Sequence, residues 1–316
     1  MATPDSQVPE ISALNSTIVR SLKRPAPALV RGVAGFLARL SPELAARLAQ
    51  RRFFTPPRAP LREAERQILD GGRRFRIEVD GRAVVGWRWG EGPVALLVHG
   101  WGGHAGQMTE LVAPLVRAGF EAVAIDLPGH GASAGSRSSI VHFARAIEAM
   151  ALHLGGIDVL LAHSFGAAGS TLALSRGLRA RRAVFLAPPA SFHRIWARFR
   201  AGAGIPPPVW QRLLRRSELW LGMPLNGVEP VLLAPRLSIP LLILHDAGDR
   251  ELPLSEGEEL AAAWPGAVLR RLEGLGHLRL LKDPACLHEA VSFVAPPAGQ
   301  RPYTARRAEA AALALV

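Results

Sequence analysis

From Phe75 onward the chain alternates between short apolar runs and segments with helical periodicity. The first run, FRIEV, alternates polar and apolar residues, and AVVGWRW follows it after Asp80 and Gly81, a pair typical of hairpin turns. Six later runs are apolar without alternation: VALLVH, EAVAID, IDVLLAH, AVFLAP, PLLILHD and AVLRRL. Such strands are buried on both faces, as in a parallel sheet covered by helices. The pattern predicts an α/β fold with two antiparallel strands followed by β-α repeats.

One interval in this repeat, residues 190–235, is too long for a single crossover connection. It contains the proline-rich break IPPPVW and several large aromatic side chains. The interval therefore predicts a helical cap, inserted after the sixth strand and placed over the carboxyl edge of the sheet. Its aromatic residues include Trp196, Phe199, Trp210 and Trp220.

The chain before Phe75 follows a different pattern. PALVRGVAGFLARL and SPELAARLAQRRFF predict two basic amphipathic helices, and the second begins with a typical cap, Ser41 followed by Pro42. We expect a basic helical extension at residues 26–72, the α/β core at residues 73–189 and 236–295, and disordered tails at residues 1–25 and 296–316.

Composition indicates a folded chain, and the low cysteine count fits a reducing compartment, although a secreted protein with few cysteines would have the same composition. Apolar residues make up 49% of the 316 residues, which is too many for a disordered chain. The single cysteine, Cys286, excludes an internal disulfide. The first residues lack the basic and apolar regions of a signal peptide, and no apolar stretch is uninterrupted enough to span a membrane. We therefore expect a soluble, cytoplasmic protein.

The net charge of +12 is concentrated in two regions. Residues 1–76 carry 14 basic and 6 acidic side chains, and residues 190–235 carry 6 basic and 2 acidic ones. The abundance of Arg, Ala, Pro and Gly is typical of a GC-rich genome, so composition alone is one explanation. Attraction to an anionic partner is the other. Because the basic helices are amphipathic and nucleic-acid motifs are absent from the sequence, that partner would be a membrane surface contacted peripherally, not a nucleic acid.

Polar and glycine-rich segments follow the predicted strands. HGWGG ends the third strand, DLPGHGAS the fourth, HSFGA the fifth and HDAGDRELP the seventh, and GLGHLRLL follows the last. Ligands of open α/β sheets bind beyond these carboxyl ends. The order and register of the segments resemble those of the α/β-hydrolase family over about residues 75–295. The resemblance implies an α/β-hydrolase fold, with a mostly parallel sheet and helices on both of its faces.

Ser164, in LLAHSFGAAGS, is the candidate nucleophile. A serine on a tight turn from strand to helix has a sparsely populated backbone conformation that projects its hydroxyl from the sheet. The residues two positions away must be small, and Ala162 and Gly166 both meet this demand. Ala162 departs from the G-x-S-x-G signature, so the alternative is an ordinary helix cap at Ser164.

A serine nucleophile needs a base, and the family places that base last in the chain order Ser, acid, His. Three histidines follow the predicted cap. His245 lies in the seventh strand, and His288 lies on a helix whose apolar face is better drawn through other residues. His277 follows the last strand, where its ring can reach the serine, so His277 is the candidate base.

Two carboxylates compete for the acid position. Asp246 ends the seventh strand, and Asp249 begins the segment DRELP. The family's acid usually lies in a D-x-x-V/L-P setting, which Asp249 matches. We therefore favour Asp249 and keep Asp246 as the alternative.

The same resemblance implies an oxyanion hole made by the backbone N–H groups of Phe165 and Trp101. Trp196 and Phe199 are candidates for the substrate pocket, because apolar and aromatic groups usually line such pockets. Arginines near the cap entrance would favour an anionic substrate. Alternatively, the tryptophans only pack the cap onto the sheet and the arginines are solvated. These arginines are Arg194, Arg198, Arg200, Arg212, Arg215 and Arg216.

Together these residues predict a serine hydrolase of the carboxylesterase or lipase type, which cleaves an ester or related acyl bond of a small molecule through an acyl-enzyme. Acyltransferases, thioesterases and C–C bond hydrolases of the same fold share this machinery and stay open as alternatives. A function of another class is a membrane-surface binding protein on a hydrolase scaffold, although a binder need not keep a complete Ser–Asp–His set. The sequence has no zinc-protease motif and no phosphate-binding loop, so we expect neither metal nor cofactor.

Overall fold

A computed structural model describes residues 38–295 of the protein. The predicted tails at residues 1–25 and 296–316 lie outside the described residues, as does most of the first predicted helix. The second predicted helix is α1 (Pro42–Phe54), and its cap is formed as expected, because the backbone N–H of Leu44 donates to the Ser41 hydroxyl at 3.2 Å.

An eight-stranded sheet lies at the centre of the part of the chain that the structure describes. The strand order is β1-β2-β4-β3-β5-β6-β7-β8, with β1 and β2 antiparallel to their neighbours and the remaining pairs parallel. The predicted mostly parallel α/β sheet is confirmed. Its strands are β1 (Arg73–Val79), β2 (Arg82–Trp89), β3 (Val94–Val98), β4 (Glu121–Asp126), β5 (Val159–His163), β6 (Arg182–Leu186), β7 (Leu241–Asp246) and β8 (Val268–Leu272).

Burial along the strands explains the pattern in the sequence. Every residue of β3, β4, β5 and β7 is buried, whereas the edge strand β1 is mostly exposed. The expectation that AVLRRL is buried on both faces is wrong, because its strand, β8, lies at the other edge of the sheet and is largely exposed. The β1–β2 turn has positive φ at both Asp80 (50°) and Gly81 (69°), the geometry that the sequence pair predicts.

Helices cover both faces of the sheet and create two separate hydrophobic clusters. Along β3, Leu96 and Val98 belong to one cluster, while Ala95 and Leu97 belong to the other. The remaining helices are α2 (Glu63–Asp70), α3 (Val112–Arg117), α4 (Ile140–His153), α5 (Phe165–Ser175), α6 (Phe192–Ala203), α7 (Pro207–Leu221), α8 (Pro230–Leu233), α9 (Leu254–Ala263), α10 (Gly276–Arg279) and α11 (Pro284–Val294), with 3-10 turns at Ala105–Leu111, Leu225–Val228 and Ala234–Arg236.

The long interval between β6 and β7 forms two helices, α6 of 12 residues and α7 of 15 residues, followed by short turns. The buried carboxylate of Glu229 accepts hydrogen bonds from the backbone N–H groups of Phe192 and His193, which satisfies the free donors at the start of α6. Helix α1 packs on α7, where the Gln50 side chain donates to the Arg216 carbonyl at 2.8 Å. The extension and the interval are therefore in direct contact.

Among residues 38–295, no helix combines the length and the apolar character that crossing a bilayer requires.

Candidate active site

Ser164 occupies the turn between β5 and α5, at the carboxyl edge of the sheet. Its backbone has φ 51° and ψ −121°, a conformation that costs a non-glycine residue on the order of 1–3 kcal/mol. The turn is held by a hydrogen bond from the Ser164 N–H to the Leu186 carbonyl at 2.9 Å. This is a strained strand-to-helix turn rather than an ordinary helix cap.

The residues around the turn must be small because backbone segments meet there. A Cβ atom at Gly166 would lie 2.5 Å from the His99 carbonyl oxygen. A Cβ atom at Gly100 would lie 3.0 Å from the Ser164 Cβ. Ala162 is fully buried in β5 with an ordinary strand pairing to Val98, so the extra methyl group at this signature position fits.

His277 connects the serine to a carboxylate. Its Nε2 lies 3.0 Å from the Ser164 Oγ, and its Nδ1 lies 2.7 Å from Asp249 Oδ2. In the tautomer that satisfies both contacts, Nδ1–H donates to Asp249 and Nε2 accepts the serine hydroxyl proton. The structure thus brings together the three side chains that the sequence indicates for nucleophile, base and acid.

The two candidate acids have different partners. Asp246 accepts hydrogen bonds from the backbone N–H groups of Gly248 and Leu275, both at 2.8 Å, and so holds two loops. Asp249 directs Oδ2 at His277, while its Oδ1 accepts from the backbone N–H of Glu251 at 2.7 Å. Asp249 is the carboxylate that contacts the histidine.

The electrostatics of the pair favour an ionised acid beside a basic imidazole. Burial raises the pKa of Asp249, but hydrogen bonds from His245, His277 and the Leu252 backbone outweigh it and hold that pKa well below its usual range. Burial lowers the pKa of His277, but the hydrogen bond to Asp249 and its charge outweigh this effect and raise the pKa above 6.5. Asp249 therefore stays negative while His277 exchanges protons.

Two further buried histidines support this arrangement. His245 lies 3.5 Å from Asp249 through Nε2, which also donates to the Leu252 carbonyl at 2.9 Å. His163 donates through Nε2 to the His277 carbonyl at 3.0 Å. Burial, together with the nearby His277, lowers the pKa of His163 to about 3, so that ring is neutral. The sequence pointed to no role for His245, and the only feature that could have done so is its position in β7, four residues before Asp249.

Other polar residues of the strand-end segments hold loops. Asp126 accepts from the backbone N–H of Ala105 at 2.7 Å and of Ala132 at 2.6 Å. His99 accepts from the Leu127 N–H at 3.0 Å, which joins the loops after β3 and β4. These contacts fix the backbone on both sides of the serine.

A cavity of about 20 Å³, lined by both polar and apolar residues, lies at Ser164. Among residues 38–295 we find no hydrogen bond from the backbone N–H of Trp101 or of Phe165 to another protein group. Both residues flank Ser164, as an oxyanion hole requires. Side chains and backbone lining the cavity include Trp101, Gln107, His163, Ser164, Glu251 and His277.

Comparison with known proteins places the chain in a family. A model of the alpha/beta hydrolase family matches residues 95–286. The chain belongs to the alpha/beta hydrolase family. This membership supports an esterase-like hydrolase function.

Individual relatives of this alpha/beta hydrolase include esterases. It is 27% identical over 232 residues to a pimeloyl-[acyl-carrier protein] methyl ester esterase of Chromobacterium violaceum, with 61% of this chain and 90% of that protein covered. The crystal structure of the esterase RhEst1 from Rhodococcus sp. ECU1013 has a TM-score of 0.54 and 20% identity, over 71% of this chain and 98% of that one. The crystal structure of a hydrolase from Pseudomonas aeruginosa PA01 has a TM-score of 0.56 and 21% identity, over 71% of this chain and 98% of that one. The two structures support the fold.

A second cavity of this hydrolase, about 40 Å³, is apolar and adjoins the first at Trp101. Phe199, a candidate pocket residue, lines it. Trp196 is not part of the lining and instead stacks on Phe53, with ring centroids 3.8 Å apart. Phe165, predicted for the oxyanion hole, also lines the cavity, together with residues that the sequence did not point to: Arg52, Phe53, Phe54, Thr55, Pro57, Ser139, Phe192 and Ile195. The two adjacent phenylalanines in RRFF are the feature of the sequence that could have indicated this part of the lining.

Three of the six cap arginines in the hydrolase form ion pairs. Arg194 contacts Glu256 and Glu259, each at 2.8 Å, while Arg212 and Arg216 contact Glu43. These contacts neutralise much of the charge that the sequence places in the interval.

In the part of the chain that the structure describes, no cluster of three or more His, Cys, Asp or Glu side chains is suited to hold a metal ion.

Proposed function

We propose that the protein is a serine esterase in which Ser164, His277 and Asp249 form the catalytic triad. The observation that carries this proposal is the continuous hydrogen-bond chain from Asp249 through His277 to a buried, strained serine. The family membership and the methyl ester esterase similarity support a carboxylic ester as the substrate class.

The first half-reaction acylates the serine. As the Ser164 Oγ attacks the ester carbonyl carbon, His277 Nε2 takes the hydroxyl proton. The negative charge of Asp249 stabilises the imidazolium that forms. The carbonyl oxygen becomes an oxyanion, which accepts hydrogen bonds from the backbone N–H groups of Phe165 and Trp101. The tetrahedral intermediate then collapses, and the leaving alcohol oxygen takes its proton from His277.

The second half-reaction releases the acid. His277, neutral again, removes a proton from a water molecule that attacks the acyl carbon. The same N–H groups hold the second oxyanion. Collapse of this intermediate breaks the bond to Ser164 Oγ, which recovers its proton from His277. In this mechanism side chains, backbone N–H groups and water supply every step.

Covalent labelling tests the proposal. A fluorophosphonate probe should modify the wild-type protein at Ser164, identified by peptide mapping. Ser164→Ala should abolish labelling and lower kcat for a p-nitrophenyl ester by on the order of 10⁶-fold. Ser175→Ala, a half-buried serine at the end of the same helix, is the matched control and should behave as wild type.

Two outcomes would overturn the triad. One is labelling at a different residue with Ser164 unmodified. The other is near-wild-type ester turnover by a folded Ser164→Ala variant.

A further inference from the structure

Residues 53–60, here named the N-terminal strap, run from the end of α1 across the mouth of the site. The strap lies outside residues 95–286, the part of the chain that matches the hydrolase family. Its contribution to the site is therefore a property of this chain's extension.

Backbone contacts attach the strap to the loops that surround the serine. The Ser138 N–H donates to the Phe54 carbonyl at 2.8 Å, and the Ala59 N–H donates to the Gly102 carbonyl at 3.0 Å. A Cβ atom at Gly102 would lie 2.9 Å from the Pro57 side chain, so the two segments are in close contact. Gly102 directly follows Trp101, and the strap thus braces the loop that carries a proposed oxyanion donor.

Phe53 is the centre of an aromatic cluster between the strap and the cap. Its ring stacks on Trp196 and lies edge-on to Phe199 and Phe192, with centroids 4.9 and 6.0 Å away. Phe53 is only partly buried, because one side of the ring faces the apolar cavity that Trp101 and Phe165 also line.

The size and lining of this cavity suit a short hydrocarbon chain. A volume of about 40 Å³ exceeds the roughly 10–15 Å³ that one water molecule needs on the same measure. Most of the wall is aromatic or aliphatic, and the polar lining residues are Arg52, Thr55 and Ser139. An apolar group gains free energy by leaving water for such a site.

The position of His277 distinguishes the acyl side from the alcohol side. His277 must protonate the leaving oxygen, so the leaving alcohol lies in the cavity that His277 lines, together with the polar side chains of Gln107 and Glu251. The apolar cavity is lined by both residues that carry the oxyanion donors, Trp101 and Phe165, but not by His277. It is therefore placed to receive the acyl chain.

We propose that the N-terminal strap forms one wall of the acyl subsite and that this subsite takes a short aliphatic acyl chain. Phe53 limits the length of chain that fits. This inference rests on the proposed esterase function and adds the substrate class and a specificity-determining residue.

Acyl-length profiles of two Phe53 variants test the inference. We would measure kcat/KM for p-nitrophenyl acetate, butyrate, hexanoate and octanoate. Removing the ring in Phe53→Ala should extend the subsite and raise the octanoate-to-acetate ratio of kcat/KM by about tenfold, the low end of what one additional methylene held in an apolar pocket contributes. Phe53→Leu retains an apolar side chain and should raise the ratio less, and it provides the test if the alanine variant does not fold.

The matched control is Phe75→Ala. Phe75 lies on β1, is partly buried, packs against Gly86 and His153, and lines neither cavity. The octanoate-to-acetate ratio of kcat/KM for this variant should stay within about twofold of the wild-type ratio. Fluorophosphonate labelling of Ser164 is recorded for every protein. Wild-type labelling at Ser164 with unchanged ratios in both Phe53 variants would overturn the subsite alone, whereas absent labelling of wild-type Ser164 would overturn the esterase proposal itself.

Discussion

At the scale of single residues, the serine turn depends on neighbours that make room for it. Ser164 takes a positive φ that disfavours side chains, and the free energy for this strain comes from the surrounding fold. Gly100 and Gly166 permit the close approach of β3, β5 and α5, because a Cβ atom at either would contact backbone or side-chain atoms at 3.0 Å or less. The reactivity of one hydroxyl is thus a property of three chain segments.

Exchanging each candidate acid for its amide separates a catalytic role from a structural one. Asp249→Asn should lower kcat by on the order of 10⁴-fold, since an amide in place of the carboxylate favours the wrong tautomer of His277 and cannot stabilise the imidazolium. Asp246→Asn should cost far less activity and should mainly lower thermal stability, because Asp246 holds only backbone N–H groups. Steady-state kinetics on ester substrates and melting curves of both variants give the answer. A larger kinetic penalty at Asp246 would reverse the assignment.

The pH dependence of turnover reports on the same pair. His277 acts as a base only when neutral, and its pKa lies above 6.5, so kcat/KM should rise with pH through a midpoint above 6.5. In Asp249→Asn the supporting charge is lost while the burial that lowers the pKa persists, so the midpoint should move to lower pH. The residual turnover of the variant, or the NMR titration of its imidazole, provides the measurement. Equal midpoints in both proteins would show that Asp249 does not set the pKa of His277.

At the scale of elements, buried carboxylates fix the segments that meet at the carboxyl edge of the sheet. Asp126 holds the loops after β3 and β4, Asp246 holds the loops after β7 and β8, and Glu229 caps the start of α6. Each accepts at least two backbone N–H groups that burial would otherwise leave unsatisfied. Loops fixed in this way keep the triad atoms within hydrogen-bond distance of one another.

The N-terminal extension joins the hydrolase core through contacts of α1 and of the strap. Helix α1 contacts α7 through Gln50 and the ion pair of Glu43 with Arg216, and the strap continues from its end across Gly102. Helix α1 and the cap are far apart in the chain, yet together with the loop after β3 they enclose one cavity.

At the scale of the whole molecule, the basic extension presents a surface suited to lipid. Leu44 and Leu48, one helical turn apart on α1, are 42% and 48% exposed, and Arg47 and Arg51 lie exposed beside them. Apolar side chains next to arginines on a helix surface favour the interface of an anionic membrane. We propose that α1 makes the peripheral membrane contact that the charge distribution left open beside a purely compositional origin.

Vesicle binding tests this property of the surface. The protein should sediment with vesicles that contain anionic lipid and should dissociate as salt rises, because screening at 0.15 M acts over about 8 Å. Leu48→Ser should weaken binding about tenfold, since one leucine side chain transferred from water is worth roughly 1.5–3 kcal/mol. Leu152→Ser, at an 84% exposed position on α4, is the control and should bind as wild type. Binding that is equal for both variants, or absent from the wild type, would contradict a membrane contact through α1.

The sequence by itself determined the α/β architecture and most of the chemistry at the strand ends. Continuous apolar runs require a sheet buried on both faces, and the observed strands lie within two residues of the runs, as for EAVAID at Glu121–Asp126. Because parallel strands end at one edge, Ser164 and His277 could be expected to meet although 113 positions separate them in the chain. The tight turn likewise followed from small residues at positions 162 and 166.

Only the tertiary structure decided which carboxylate contacts the histidine and which aromatic residues enclose the substrate. Asp246 and Asp249 lie in one short segment, and the turn after β7 directs one at backbone N–H groups and the other at His277. Phe53 lies in an extension whose pattern indicated only a basic helix, yet it lines the apolar cavity while Trp196 packs behind it. Periodicity shows which face of an element is buried, but it does not show which distant element covers that face. Contacts between elements far apart in the chain therefore decide the shape of the pocket.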